Sequence, residues 1–201
     1  MKTKVKILII GIVVICLAGI YSIIDKNVSL YDIKCDTSEF QMLTLEEGKE
    51  VVQSFICKEN TLDGMALKLA ADDNADRADL ILSYRLIEKK SDKEVAKGKT
   101  DLINLKSGKF FEIRFSEIDK CMDKEYEFRM SLENGELGSV RVFYTPGKSK
   151  SAQLIYAGDK VEGIEVLRTI THRFDMETFI ITLCFVGYIV VFMRWLYKLF
   201  K

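Results

Sequence analysis

The chain has 201 residues, of which 30 are basic and 30 are acidic, so its formal net charge at neutral pH is zero. Its hydrophobic share of 48% and its mean hydropathy of +0.06 are those of an ordinary globular protein. These averages conceal two uncharged apolar runs near the ends of the chain. The segment between the runs is mildly acidic, which argues against nucleic acid or anionic lipid as its partner.

The first apolar run extends from Ile7 to Ile24 without a charged residue. Because roughly 20 helical residues cross a hydrocarbon core of about 30 Å, the run predicts a transmembrane helix over residues 7–24, after a cytoplasmic tail at residues 1–6. A cleaved signal peptide is the alternative, but its apolar region is usually shorter and no A-x-A site follows. We therefore predict an uncleaved anchor, followed by a connector over residues 25–46.

Residues 47–175 are predicted to form β-strands, because their apolar side chains recur with a period of two. Leu82, Tyr84 and Leu86 share one face of the run at 79–87. The same alternation recurs at residues 111–115, 126–132 and 140–144, and earlier candidate strands lie at 49–57 and 62–71. Turn signals separate the runs, and Asn134-Gly135 predicts a hairpin. Seven or more short strands predict an all-β fold, an antiparallel β-sandwich.

The second apolar run, from Thr178 to Met193, predicts a transmembrane helix over residues 176–196, before a cytoplasmic tail at residues 197–201. The run is short, and it reaches full span through Arg194 and the interfacial Trp195. A buried helix is the alternative, disfavoured by the lack of polar spacing. Basic residues lie before the first run and after the second run. The positive-inside rule therefore places both termini in the cytoplasm and residues 47–175 outside the membrane.

Five segments of the chain together resemble a known ectodomain. These are Val52–Phe55, Leu62–Leu67, Asp79–Leu86, Lys93–Ala96 and Lys124–Phe128. Their succession, over roughly residues 47–157, is similar to the jelly-roll-like β-sandwich ectodomain of bacterial membrane proteins of surface-polysaccharide assembly. Such domains occur beside or within membrane glycosyltransferases and resemble carbohydrate-binding modules. The resemblance implies a jelly-roll-like fold and a role in the cell envelope, and no binding residue is carried over from it.

The five cysteines divide by location. Cys16 and Cys184 fall in the apolar runs, where a thiol behaves as a small apolar group. Cys35, Cys57 and Cys121 lie in the part predicted to be outside, where a disulfide is permitted. An odd number allows at most one bond within a monomer. Cys57 with Cys121, Cys35 with Cys57, and no bond at all remain open.

The search for catalytic or metal-binding residues finds no constellation. His172 is the only histidine, and no nucleophile pattern accompanies it. The acidic turn from Asp72 to Asp79 has oxygen ligands at alternate positions, but Arg77 and Ser83 occupy the places where an EF-hand needs glycine and glutamate. Two interpretations of this turn remain, a looser calcium site and a solvated turn without a metal. The prediction is a protein without catalytic activity, cofactor or resident metal.

Three aromatic residues are candidate contacts for a glycan or a partner: Phe110, Phe143 and Tyr156. On outward faces they would suit the apolar faces of sugars, whereas second-layer contacts that cover them are the structural alternative. We predict a two-pass protein of the bacterial cytoplasmic membrane, acting as an accessory or binding subunit in envelope polysaccharide assembly. Its expected partners are the bilayer, an integral-membrane protein and an envelope glycan. The alternative is a structural scaffold that binds other envelope proteins without contacting a glycan.

Overall fold

The computed structural model describes residues 2–72, 77, 79–134, 138–147 and 152–200. It divides into two compact units. The helical unit comprises Met1–Lys26 and His172–Lys201, and the two-sheet unit comprises Asn27–Thr171.

The described residues form thirteen strands and a short 3-10 helix at Thr37–Glu39. The strands are β1 (Ile23–Ser29), β2 (Gln41–Leu45), β3 (Val51–Ile56), β4 (Thr61–Ala71), β5 (Ile81–Glu88), β6 (Lys93–Asp101), β7 (Phe110–Asp119), β8 (Glu125–Leu132), β9 (Val140–Pro146), β10 (Gln153–Tyr156), β11 (Asp159–Val161), β12 (Gly163–Glu165) and β13 (Leu167–Phe174).

These strands pair into two mostly antiparallel sheets. The seven-stranded sheet has the order β1-β13-β4-β9-β12, with β2 beside β9 and β7 beside β4. The six-stranded sheet has the order β11-β10-β3-β8-β5-β6. The prediction of an antiparallel, strand-rich fold is confirmed.

Both sheets contribute side chains to one hydrophobic core, because the period of two gives each of them an apolar face. Leu69 and Val142 come from the seven-stranded sheet, and Leu82 and Phe128 from the six-stranded sheet, all of them fully buried. The rings of Tyr84 on β5 and Phe115 on β7 lie 6.4 Å apart, so the two sheets meet through their side chains. The inward faces predicted for β5, β7, β8 and β9 are confirmed.

The close contact between β5 and β6 depends on a glycine. Gly98 pairs with Tyr84, and a Cβ atom at position 98 would lie 2.6 Å from the Tyr84 hydroxyl oxygen. A larger residue would push the ring away from the core. The sequence of β6, Lys-Glu-Val-Ala-Lys-Gly-Lys-Thr-Asp, is mostly polar and lacks the apolar alternation of the other strands. Its pairing with β5 is therefore seen only in the structure.

Two predictions about the chain path are wrong. The predicted connector at residues 25–46 contains most of β1 and all of β2, which are short or polar strands with weak alternation. The predicted hairpin at Asn134-Gly135 would join β8 to β9, but these strands belong to different sheets. The Asn134 side-chain oxygen instead accepts a hydrogen bond of 2.9 Å from the backbone N–H of Ile81. Gly135 lies outside the described residues.

The helical unit contains α1 (Lys2–Tyr21) and α2 (Met176–Leu199), which contact each other. The Asp175 carboxylate accepts a hydrogen bond from the Thr178 backbone N–H at 3.2 Å, which caps the start of α2. α1 ends at Tyr21, earlier than the predicted end at residue 24, because β1 begins at Ile23. α2 continues three residues beyond the predicted end at residue 196.

One helix among the described residues, α2, is long and apolar enough to cross a membrane. In α1 the corresponding apolar segment, Leu8–Tyr21, is shorter, and at about 1.5 Å per residue it covers roughly 21 Å. Large apolar side chains on both helices are exposed, Leu8 and Val191 among them. Such surfaces suit a hydrocarbon environment better than water.

We expect Phe128→Ala to lower the free energy of unfolding by about 3–5 kcal/mol, because it deletes a fully buried ring and leaves a cavity. Thermal unfolding of the detergent-solubilised full chain, followed by far-ultraviolet circular dichroism, measures the loss. Ile103→Ala is the control, since Ile103 is exposed and should change stability little. Equal losses in both variants would contradict the assigned core.

We expect Val190→Arg to prevent α2 from spanning, because a charge at the centre of a spanning helix costs about 3 kcal/mol in insertion. In the wild type, a C-terminal epitope and the two-sheet unit should lie on opposite sides of the membrane. In Val190→Arg they should lie on the same side, as measured by protease accessibility in spheroplasts. Val190→Leu is the control and should behave as the wild type. A C-terminal epitope on the same side as the two-sheet unit already in the wild type would show that α2 does not span.

Candidate functional site

The structure brings two of the three candidate aromatics together. Phe110 on β7 and Phe143 on β9 both lie on the outer face of the seven-stranded sheet, opposite the core. Leu67 and Leu69 of β4 point into the core, so the intervening Lys68 also faces outward. Tyr156 lies on β10, in the six-stranded sheet. The three residues therefore do not form one platform.

Lys68 lies at the centre of a row that runs across neighbouring strands. Phe110 is its register partner on β7, and its ammonium nitrogen lies 5.2 Å from the centroid of the Phe143 ring. Met42 on β2 pairs with Phe143 and continues the row. A lysine at this distance over a ring is attracted by the negative face of the π system.

The chain that precedes β2 adds two more rings to the same face. The ammonium nitrogen of Lys68 lies 4.7 Å from the centroid of the Phe40 ring, and Tyr31 packs edge-on against Phe40 with centroids 6.1 Å apart. Phe40 directly follows the 3-10 helix at Thr37–Glu39. Asp36 caps the start of this helix, because its carboxylate accepts a hydrogen bond from the Ser38 backbone N–H. Capping of this short helix therefore fixes where Phe40 enters the face.

Arg168 on β13 is the second cation of this face. Its guanidinium carbon lies 3.8 Å from the centroid of the Phe110 ring, and it donates a hydrogen bond of 3.2 Å to the Tyr31 hydroxyl. The stacked guanidinium is thereby fixed in orientation. We call this set the aromatic–cation face: Tyr31, Phe40, Lys68, Phe110, Phe143 and Arg168.

The charges of the aromatic–cation face are not neutralised within the part of the chain that the structure describes. There, neither Lys68 nor Arg168 has a carboxylate partner, although both contact rings. Other arginines of the sheets are paired with acids, as Arg129 is with Glu127 at 2.7 Å and Arg141 with Asp72 at 2.5 Å. All six side chains of the face are partly buried. The face offers oriented cations beside apolar rings, an arrangement suited to an anionic group on a partly apolar ligand.

Tyr156 occupies a different environment, beside a polar groove on the six-stranded sheet. Its hydroxyl donates a hydrogen bond of 3.0 Å to the Glu46 carboxylate, and burial, together with this bond, raises the pKa of Tyr156. Lys49 and Glu50 line the groove. Glu50 pairs with Arg85, and Glu46 pairs with Lys49 at 2.7 Å. Because these charges are already matched, the groove is a weaker candidate than the aromatic–cation face.

A buried polar contact that the sequence patterns did not indicate joins the two sheets. Gln53 on β3 and Glu165 on β12 are both fully buried, and the Gln53 side-chain oxygen accepts a hydrogen bond of 2.8 Å from the Glu165 backbone N–H. Neither carboxylate oxygen of Glu165 has a hydrogen-bond partner among the described residues. Burial raises the pKa of Glu165 to about 8, so the carboxyl group is mostly protonated at neutral pH.

The remaining candidates are placed as follows. The His172 ring nitrogen Nδ1 lies 2.7 Å from the Asp25 carboxylate, and both side chains are substantially exposed. At the acidic turn, Asp72 pairs with Arg141, while Asn74 and Asp76 lie outside the described residues. Within the described ranges, no group of three or more His, Cys, Asp or Glu residues is arranged to hold a metal ion. The loose calcium site therefore stays an open prediction.

We expect stability to fall as the pH rises, because Glu165 keeps its proton in the folded state at a pH where the unfolded chain has lost it. The contribution is fully present below the unfolded pKa of 4.5 and is lost as the pH rises through about 8. At about 1.4 kcal/mol per pKa unit, the loss amounts to several kcal/mol. Glu165→Gln should flatten this dependence in thermal unfolding between pH 5 and pH 9, and an unchanged slope would contradict the assignment.

Comparison with known proteins gives no family for this chain. No protein-family model matches it, and no curated protein is similar to it at a significant level. What the chain does is therefore inferred from its own side chains, of which the aromatic–cation face carries the most chemical information.

Proposed function

We propose that this chain is a non-catalytic protein of the bacterial cytoplasmic membrane that presents a jelly-roll-like β-sandwich on the outer side. α1 and α2 both cross the bilayer, and both termini lie in the cytoplasm. The apolar length of α2, the exposed apolar side chains of α1 and the basic residues at the terminal ends of both helices support this topology. Within this arrangement the chain is an accessory or binding subunit in surface-polysaccharide assembly.

The observation that carries the proposal is the pair of unneutralised cations, Lys68 and Arg168, fixed against aromatic rings on one sheet face. A glycan that bears carboxylates or phosphates matches both features. Its anionic groups pair with the cations, and the C–H faces of its sugars pack beside the rings. Because Arg168 already stacks on Phe110, a neutral sugar has less ring surface available to it. The ligand class proposed is therefore an acidic envelope glycan.

The composition of the face supports a binding role without catalysis. Its six side chains are aromatic or cationic, and they include neither a carboxylate nor a histidine to act as a general base at neutral pH. His172 belongs to the helical unit, where it contacts Asp25. Any glycosyl transfer would be performed by a partner enzyme in the membrane.

One observation favours the scaffold alternative. Met42 is 47% exposed and pairs with Phe143, so the row of side chains through Lys68 ends in an exposed apolar residue. A flexible, apolar side chain of this kind is common at surfaces that bind other proteins. A partner protein with an acidic patch would then occupy the face in place of a glycan.

Binding by the full chain in lipid nanodiscs tests the proposal, with polygalacturonate, teichoic acid and neutral dextran as probes. We expect binding to one or both acidic polymers and none to dextran. Lys68→Gln and Arg168→Gln should each weaken binding by about tenfold or more, the loss expected for one charge-assisted contact. Lys97→Gln is the matched control, since Lys97 lies on β6 and pairs with Glu94 at 2.9 Å.

Equal binding to dextran, or equal losses in Lys97→Gln, would contradict a glycan site on this face. Purification of the full chain from its native membrane after mild crosslinking then distinguishes the alternatives. Near-equal recovery of a polytopic glycosyltransferase or polysaccharide exporter supports the accessory-subunit role. Recovery of other envelope proteins, with loss of that recovery in Lys68→Gln, supports the scaffold.

A further inference from the structure

Two of the five cysteines meet inside the two-sheet unit. Cys57 follows the end of β3 in the six-stranded sheet, and Cys121 follows the end of β7 in the seven-stranded sheet. Their exposed fractions are 1% and 0%, and both belong to the hydrophobic core. Residues that are distant in sequence and lie in different sheets therefore place their thiols in one buried site.

Backbone hydrogen bonds fix both residues. The hydrogen bonding between β3 and β8 extends one step beyond their last residue pair, Ile56 with Glu125. The Cys57 N–H donates to the Lys124 carbonyl and the Asp123 N–H donates to the Cys57 carbonyl, each at 2.9 Å. The Lys124 N–H donates to the Cys121 carbonyl at 3.1 Å, closing a turn, and the Cys121 N–H donates to the Asn60 carbonyl at 2.9 Å. This framework holds the two Cα atoms in place without help from the side chains.

Lys124 links the two residues, because its carbonyl accepts from the Cys57 N–H and its own N–H donates to the Cys121 carbonyl, so the two cysteines lie on either side of one turn. Both thiols donate to backbone carbonyls, Cys121 to Ile118 at 2.8 Å and Cys57 to Glu59 at 3.3 Å. The interaction between the neighbouring thiols lowers the pKa of Cys121 to about 7 and raises the pKa of Cys57.

The other three cysteines are placed elsewhere. The Cys35 sulfur contacts the Glu39 carboxylate at 3.3 Å, and its side chain is partly exposed. Cys16 and Cys184 lie in α1 and α2. Of the pairings that the sequence leaves open, the geometry therefore supports one.

We propose that Cys57 and Cys121 form a disulfide in the native protein and that this bond ties the six-stranded sheet to the seven-stranded sheet. The inference rests on the extracytoplasmic placement in the proposed function, because a cytoplasmic domain would be kept reduced. It is independent of what the aromatic–cation face binds.

The oxidant is the disulfide of a thiol–disulfide oxidoreductase. One of the two cysteines, as a thiolate, attacks one sulfur of that disulfide and releases the other as a thiolate, giving a mixed disulfide. The second cysteine, on losing its proton, then attacks the first cysteine's sulfur and releases the second carrier thiolate. Two protein thiols are oxidised and one carrier disulfide is reduced to a dithiol. Because both sulfur atoms are buried in the folded state, the exchange takes place before the core closes.

Thiol counting tests the bond in the full chain. Cells are quenched in acid, and the protein is denatured and alkylated with or without reductant before mass spectrometry. With five cysteines in the chain, we expect three alkylated thiols without reductant and five with it, and a Cys57–Cys121 linked peptide. In Cys57→Ser we expect four thiols in both conditions, because Cys121 has lost its partner. In Cys35→Ser, the matched control, the counts should be two and four.

Thermal unfolding gives a second readout that does not depend on the absolute stability of a variant. A bond that closes a loop of roughly 60 residues should raise the apparent Tm by about 10 °C over the reduced chain. Reductant should therefore lower the Tm of the wild type and of Cys35→Ser, and leave the Tm of Cys57→Ser unchanged.

Five free thiols in the acid-quenched wild type, or a linked peptide containing Cys35, would overturn the proposal. Treatment of the denatured, reduced full chain with oxidised dithiothreitol while it refolds then locates the error, because the sulfur atoms are accessible before the core closes. Closure of the bond would mean that Cys57 and Cys121 do lie side by side and that the extracytoplasmic location of the two-sheet unit is wrong. Failure to close would mean that the placement of the two cysteines side by side is wrong. Neither result bears on binding by Lys68 and Arg168.

Discussion

Two β-sheets that each carry an apolar face have to bury those faces against each other, and the positions of most other side chains follow from this. In β4, Leu67 and Leu69 occupy the core, so Lys68 has no alternative to the outer face. The same alternation turns Phe110 and Phe143 outward, because Phe111 and Val142 pack inward. The aromatic–cation face is thus the reverse side of the core. Its two cations remain partly exposed and lie against aromatic rings.

The polar and reactive groups inside the core are concentrated where the two sheets approach each other. Gln53 and Glu165 connect β3 to β12 through a hydrogen bond, and Cys57, which follows β3, lies close to Cys121, which follows β7. A buried polar group without a partner is costly, and the protonated Glu165 limits this cost by avoiding a buried charge. The contact between Gln53 and Glu165 therefore makes the stability of the unit depend on pH, and the proposed disulfide would make it depend on the redox environment.

The two units make different demands on their surroundings. The helices expose large apolar side chains along their length, which water does not solvate favourably, and α2 has the length needed to cross a bilayer. The two-sheet unit buries its apolar side chains and carries ion pairs on its surface, such as Lys89 with Glu125. Lys68 and Arg168 instead lie against aromatic rings. The proposed role in binding at the membrane surface would account for both kinds of unit in a single chain.

The sequence by itself determined the features that depend on near neighbours along the chain. The period of two identified the inward faces of β5, β7, β8 and β9, and the absence of charge identified the apolar helices. It did not identify β1, β2 or β12, because these strands are short or polar and gain stability from pairing with strands far away in the sequence. Which sheet a strand joins is also a long-range property. For that reason the Asn134-Gly135 signal predicted the wrong connection, and three candidate aromatics could not be divided into two sheets. The proximity of Cys57 to Cys121 and the contacts of Lys68 and Arg168 with four rings were likewise decided only by the tertiary structure, which brings the end of β3 close to the end of β7 and places residues 30–40 beside β4.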